Sequence, residues 1–192
     1  DADDYVTVDL RVVGAQDTHA RGFDSLQGIG NLNGSDHADI LNGDARRNVL
    51  SGGLGADQLN GDGGTDWLVG GSGGDSLNGG ADSDLLVGEG GDDIIDGGGG
   101  NDDAVFTGAR ALYTISVADG VTTVTGPDGV DRLSNVERLH FADGVFAADG
   151  STPAAALAGT GAADSLVGGS GDDVILGGAG DDLITPNGGM DS

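Results

Sequence analysis

The chain has 192 residues, 41 of them Gly and only 4% aromatic, and its 33 acidic residues against 7 Lys and Arg give a formal net charge of -26. So little aromatic bulk and so much self-repulsion exclude an ordinary collapsed core, and stabilisation has to come from a counter-charge or a repeat architecture. The same charge excludes a nucleic-acid surface, because phosphate would be repelled and the nearest thing to a basic patch is Arg46 beside Arg47.

Without Cys there is no disulfide, no thiolate metal site and no thiol nucleophile. No apolar run is long enough to predict a membrane-spanning helix. The start at Asp1 carries no signal peptide, and together with the stop at Ser192 it reads as a fragment.

Residues 1–32 are expected to form an N-terminal strand and cap. Tyr5 to Val13, YVTVDLRVV, alternates apolar and polar residues as a strand does. FDSLQGIGNL then places Leu32 nine residues before Leu41, so the architecture that follows starts early, behind an irregular cap that shields its edge.

Residues 33–105 repeat. Asp39, Asn48, Asp57, Asp66, Asp75, Asp84, Asp93 and Asp102 stand nine residues apart, and two positions after them come Leu41, Leu50, Leu59, Leu68, Leu77, Leu86, Ile95 and Ala104. A Gly opens every unit, and good copies read GGLGADQLN and GGSGGDSLN. A unit this short buries nothing alone and must stack on its neighbours. Six Gly-rich residues can turn tightly through φ > 0, and three more make a short strand whose middle aliphatic points inward. Two units then complete one coil, which puts loops n and n+2 on the same edge about 4.8 Å apart. Bare carboxylates at that spacing repel by about 1 kcal/mol even in water, and one aliphatic per unit is a thin core that needs a further staple. The expected fold is all-β: a right-handed parallel β-roll (β-helix solenoid) with a small antiparallel β connector or cap.

Residues 106–150 read as a β-hairpin connector. Ala111 to Val117 and Val121 to Thr125 alternate around Asp119-Gly120, a two-residue turn signal, and Val130 to Phe141 can add strands. Residues 151–158 read as a linker. A second, truncated array at 159–192 brings Asp164, Asp173 and Asp182 with Leu166, Ile175 and Ile184.

These units resemble the hemolysin-type calcium-binding nonapeptide, the RTX repeat GGxGxDxUx with U a large aliphatic, over about half of the chain. AVFTGARALYTISV and GVDRLSNVERLHFADG resemble the connector found beside RTX blocks in secreted proteins. The resemblance implies several Ca²⁺ ions between stacked loops, held by Asp carboxylates and by the carbonyls of loop positions one, two and four. In the first block those residues are Asp39; Gly52, Gly53, Gly55 and Asp57; Gly61, Asp62, Gly64 and Asp66; Gly70, Gly71, Gly73 and Asp75; Gly79, Gly80, Asp82 and Asp84; Gly88, Glu89, Gly91 and Asp93; and Gly97, Gly98, Gly100 and Asp102. In the second they are Asp164; Gly168, Gly169, Gly171 and Asp173; and Gly177, Gly178, Gly180 and Asp182. Calcium takes six to eight oxygens at roughly 2.3 to 2.6 Å, whereas Mg²⁺ demands a tighter octahedron. His37 and Arg46 at position four, Arg47 at position five and Asn48 in place of Asp predict no full site in the first two units. Asp82 stands where the pattern has Gly, is expected to give only its carbonyl, and tolerates a left-handed backbone.

The outward positions of one sheet, such as Gln58, Asn60, Ser76 and Asn78, are mostly polar, while Val49, Trp67, Val69, Leu85, Val87 and Val105 make an apolar stripe on the other. The connector is expected to pack over that stripe. The alternative is that the Val49, Trp67 and Leu85 face meets a second copy or another surface protein.

No catalytic constellation stands out. His19, His37 and His140 have no zinc spacing, and pairs such as Asp92-Asp93 read as one ligand beside a solvated neighbour. The expected function is therefore not enzymatic: an extracellular or cell-surface module of a larger protein, exported through a type I secretion apparatus and folded by calcium outside the cell. Two readings stay open beside it, the non-catalytic C-terminal part of a secreted protease, lipase or polysaccharide epimerase, and a segment of an adhesin or surface layer.

Overall fold

The computed structural model describes residues 5–17, 23–150, 157–158, 163, 165–167, 175–176, 181 and 183–185. They fall into two units, Asp1–Gly144 and Val145–Ser192, taken separately below.

The first unit is built from short strands: β1 (Thr7–Asp9), β2 (Ala15–Asp17), β3 (Phe23–Ser25), β4 (Asn31–Asn33), β5 (Ile40–Asn42), β6 (Val49–Leu54), β7 (Gln58–Asn60) and β8 (Trp67–Ser72). Next come β9 (Ser76–Ala81), β10 (Leu85–Gly90), β11 (Ile94–Gly99), β12 (Asp103–Val105), β13 (Thr114–Ala118), β14 (Val121–Gly126), β15 (Gly129–Ser134) and β16 (Arg138–Phe141). One sheet runs β1-β5-β7-β9-β11-β15 in parallel and ends in antiparallel β14 and β13. The other runs β4-β6-β8-β10-β12-β16, all parallel. Consecutive units alternate between the two sheets, so two units make one coil of a parallel β-roll.

Registry explains how one aliphatic per unit suffices. Leu41, Leu59, Leu77, Ile95 and Leu133 stack in one column, and Leu32, Leu50, Leu68, Leu86, Ala104 and Leu139 in the other. All are buried, and each large aliphatic contributes about 2 kcal/mol of transfer free energy. β6, β8, β9, β10 and β11 exceed the expected three residues, because there the ladder runs on into the first loop positions, as in Glu89 against Gly71 and Gly90 against Ser72. After these five strands only the last half of the loop leaves the sheet.

At the N-terminal end the strand is shorter than the alternation predicts. The chain turns at Leu10 and Arg11, where Asp9 Oδ1 accepts the Arg11 N–H at 2.9 Å, and Val13 is left exposed. Val8 still lies beneath Leu41, so β1 opens the first sheet.

The connector hairpin forms around Asp119 (φ 52) and Gly120 (φ 78), joining Ala118 to Val121. Arg110–Leu112 is a 3-10 turn instead of the beginning of a strand. Phe106, Tyr113 and Phe141 form an aromatic cluster with ring centroids 5.0 to 5.4 Å apart. The expectation that this hairpin covers the apolar stripe is not met. β15 is fixed in register on β11, so β14 and β13 extend the first sheet in its own plane, and Trp67 on the second sheet remains 44% exposed.

In the second unit, β17 (Gly144–Ala147) crosses the boundary, followed by β18 (Leu157–Ala158), β19 (Ser165–Val167), β20 (Ile175–Leu176) and β21 (Leu183–Thr185). β18 pairs in parallel with β20, and β19 with β21, with Leu157 on Ile175 and Leu166 on Ile184. The pairing skips one unit, as in the first block. Asp164, Gly168, Gly169, Gly171, Asp173, Gly177, Gly178, Gly180 and Asp182 lie outside the described residues.

Candidate metal sites

Three loop positions set the backbone of each rim. At position one the glycine has the Asp of its own unit against it: a Cβ on Gly52 would overlap Asp57 Oδ2 and come 2.6 Å from Gly70 O of the stacked coil. At position four Gly73 has φ 137, and a Cβ there would run into Gly55 O. Position two also has φ > 0, yet Asp62 (φ 77) and Glu89 (φ 68) occupy it in two units, and Asp82 (φ 71) stands at position four of a third. Acidic residues there accept a modest conformational cost, and Asp82 and Glu89 keep their side chains in solvent, leaving their carbonyls to the loop.

Along each rim the aspartates form a directional chain. The Asp39 N–H donates to Asp57 Oδ1 at 2.8 Å, Asp57 to Asp75 at 2.8 Å and Asp75 to Asp93 at 2.8 Å. On the opposite rim the Asn48 N–H donates to Asp66 Oδ1 at 2.7 Å, Asp66 to Asp84 at 2.7 Å and Asp84 to Asp102 at 2.8 Å. These bonds hold each carboxylate in one orientation and engage one of its two oxygens. The other oxygen, Oδ2 of Asp57, Asp66, Asp75, Asp84, Asp93 and Asp102, is buried and accepts no hydrogen bond.

Six such oxygens cannot be an ordinary outcome of folding, since a buried acceptor without a partner costs about 1 to 3 kcal/mol, more when it is charged. Burial pushes the carboxyls up, to about 7 for Asp66 and about 6 for Asp75 and Asp84, opposed by the amide hydrogen bonds and reinforced by neighbouring carboxylates. Asp57, Asp93 and Asp102 move in the same direction, again chiefly through burial. The rims are therefore rows of acceptors lacking positive charge.

A hard divalent cation fits this deficit. The donors are oxygen only, as Ca²⁺ prefers, with no thiolate or imidazole among them. Among the described residues no group of three or more acidic or His side chains converges. Any cation site here therefore combines two stacked carboxylates with main-chain oxygens. The residues that would hold it are the six aspartates and the carbonyls at positions one, two and four, and a bound ion would supply the charge that lets successive coils approach.

The first two units differ. Asp39 Oδ2 accepts the Ser35 N–H at 2.5 Å and faces Ser35 Oγ at 3.1 Å, while its Oδ1 accepts the Val6 N–H. Asn48 Oδ1 accepts the Asp44 N–H at 2.7 Å. Both side chains are satisfied by the chain itself.

The structure also adds residues that the nine-residue register does not reach. Asp131 Oδ1 accepts the Asp93 N–H at 3.0 Å, and Glu137 Oε2 accepts the Asp102 N–H at 2.8 Å, so connector residues continue both rows. The signal is present at 126–134, GPDGVDRLS, which keeps Gly, Gly, Asp and Leu in repeat order with Pro127 at position two. It is displaced from the register by the inserted hairpin.

The sequence profile of the RTX calcium-binding nonapeptide repeat (4 copies) matches residues 33–68, 69–104 and 158–192, more than half of the chain. The chain belongs to the RTX calcium-binding repeat family. Its RTX repeats form the β-roll described above, and Asp131 and Glu137 lie outside the matched stretches. A comparison with curated proteins finds no match. Among solved structures, the extracellular lipase LipA from Serratia marcescens is similar at 17% identity and a TM-score of 0.37. The alignment covers 87% of this chain and 29% of the lipase chain.

Proposed function

We propose that this RTX module folds as it binds calcium, and that it acts as a non-catalytic folding or interaction element of a larger secreted protein. The observation that carries the reading is the set of six buried Asp Oδ2 atoms without a hydrogen-bond partner. Where Ca²⁺ is scarce, as in the cytosol, the formal charge of -26 and the stacked carboxylates oppose the compact state. An unfolded chain is what passage through a type I secretion apparatus requires. Outside, millimolar Ca²⁺ balances the rims, and metal binding and folding become one event.

The ligands we assign are Asp57, Asp66, Asp75, Asp84, Asp93 and Asp102 with the position-one, -two and -four carbonyls of their loops, and by likeness Asp164, Asp173 and Asp182. The test is a calcium titration of the full chain followed by circular dichroism. Strand signal should emerge with added calcium and vanish with EGTA, and a chelated sample with full strand signal at neutral pH would overturn the reading.

A second proposal rests on the exposed Trp67. The Val49, Trp67 and Leu85 face is the surface we assign to a second copy or another surface protein. A calcium-loaded chain that sediments as a monomer at every concentration, with unchanged Trp67 fluorescence, opposes self-association.

A further inference from the structure

The hairpin connector does more than extend a sheet edge, because its β15 strand meets the last repeat of one rim in the geometry of another repeat. Arg132, Leu133 and Ser134 pair with Ile94, Ile95 and Asp96 in the same parallel register by which those three pair with Ser76, Leu77 and Asn78. The loop columns continue as well. Gly55 N–H donates to Ser72 O at 2.9 Å, Gly73 N–H to Gly90 O at 2.7 Å, and Gly91 N–H to Asp128 O at 2.7 Å. Gly129 (φ 141) then sits over Gly91 O as Gly91 (φ 140) sits over Gly73 O.

The acidic row follows the same path. Asp131 is 2% exposed, and its Oδ1 accepts the Asp93 N–H at 3.0 Å, the place that Asp93 itself fills for Asp75. Asp93, 1% exposed, keeps its Oδ2 without a hydrogen-bond partner, like the aspartates inside the matched repeats. Asp92 Oδ1 accepts the Val130 N–H at 2.9 Å and braces the two segments. Only the first half of the loop departs: Gly126 pairs with Gly129 across the hairpin turn, and Asp128 Oδ2 accepts the Tyr113 hydroxyl at 2.5 Å.

We infer that this rim ends in a hybrid divalent-cation site, formed by the Gly88–Asp93 loop on one side and the Asp128–Asp131 segment of the antiparallel module on the other. Resting on the calcium reading above, this goes beyond the repeat: residues outside the matched stretches close the row, and metal binding docks β13–β15 onto the roll. The site lacks the position-one and position-two carbonyls of an ordinary partner loop, so it is the last on its rim to fill.

Two measurements on the full chain test it. Crystals grown with Ca²⁺ should show an anomalous difference peak between Asp93 and Asp131, which needs no variant. By calorimetry Asp131→Asn should bind one ion fewer than the parent, with the 106–144 segment becoming susceptible to protease at calcium levels that protect the parent, while Asp75→Asn reports on the matched repeats. Loss of ions in Asp75→Asn but none in Asp131→Asn, with no peak between Asp93 and Asp131, overturns the hybrid site and leaves the calcium reading intact. No loss in either variant and no peak at any rim overturns both. Should Asp131→Asn fail to fold, the peak in the parent crystal decides.

Discussion

Asp39 and Asp75 hold equivalent places in stacked coils of the same sheet, and both are buried. Asp39 has its second carboxylate oxygen bonded to Ser35, whereas Asp75 has nothing on that atom. Where the sequence departs from the repeat, the chain supplies a donor from within. Where the repeat is intact, position two turns to φ > 0, as at Gly53 and Gly71, and the second oxygen of the unit's Asp accepts no hydrogen bond. The difference between the first units and the central ones is thus a difference in who balances the carboxylate, the chain or a cation.

The harshest way to break that comparison is at position four, which is His37 in the first unit and Gly73 in a central one. Gly73→Ala should cost about 4 kcal/mol or more, since the backbone is left-handed there and the Cβ overlaps Gly55 O. His37→Ala, at an exposed site, should stay within about 0.5 kcal/mol. Urea midpoints in saturating calcium check both, and equal effects would refute the contrast.

Core and rim can be separated next. Leu77→Ala should lower stability by about 3 kcal/mol, the range for a buried leucine that leaves a cavity. The calcium stoichiometry measured at low temperature should not change, because Leu77 supplies no oxygen donor from its side chain. A lost ion would mean that the columns of leucine and the rims are not independent.

Asp75→Asn retains the shape and the acceptor for the Asp57 N–H but removes the charge. Its calcium midpoint should rise on the order of tenfold, equivalent to about 1.4 kcal/mol. Asp39→Asn should shift it less than about twofold, in keeping with a site already satisfied by Ser35. A larger shift at Asp39 than at Asp75 would reverse the assignment of the two regions.

The smallest expected effect is that of pH. Burial raises the carboxyls of Asp75 and Asp84 to about 6 and of Asp66 to about 7, above the ordinary 3.8 of the unfolded chain. A folded pKa above the unfolded one means that protonation favours the fold. This contribution is complete below about pH 4 and is lost as pH rises through 6 to 7. In EGTA strand signal absent at pH 7.5 should therefore return in part at pH 5, while in calcium the proton competes and the metal midpoint should rise as pH falls. Strand signal in EGTA that is no greater at pH 5 than at pH 7.5 contradicts the assignment.

Much of this was readable in the sequence because the nine-residue period fixes both the inward leucines and the rim aspartates. The alternation between two sheets, the stacking of units n and n+2 and the positive φ of Asp82 all follow from it. What the period could not reach was position 131. Counting by nines fails once a hairpin of different register is inserted, and Pro127 hides the remaining match. The covering of Trp67 was also misjudged, for a physical reason: hydrophobicity marks a face that needs a partner, but strand registry decides where the nearest hairpin goes. Residues such as Asn135 (φ 50), whose carbonyl lies where the opening glycine's would in the column above Gly97, carry no sequence pattern at all.

The amide-to-carboxylate hydrogen bonds along the rims all point one way, each Asp amide reaching for the side chain of the coil that comes after it. The roll therefore has a polarity that its repeated sequence does not advertise. Trimming it from the C-terminal side strips the carboxylate acceptor from the Asp amides of the coil left behind, whereas trimming from the N-terminal side leaves those amides supplied. The Asp amides of each coil therefore find their carboxylate acceptors only once the coil after it is in place.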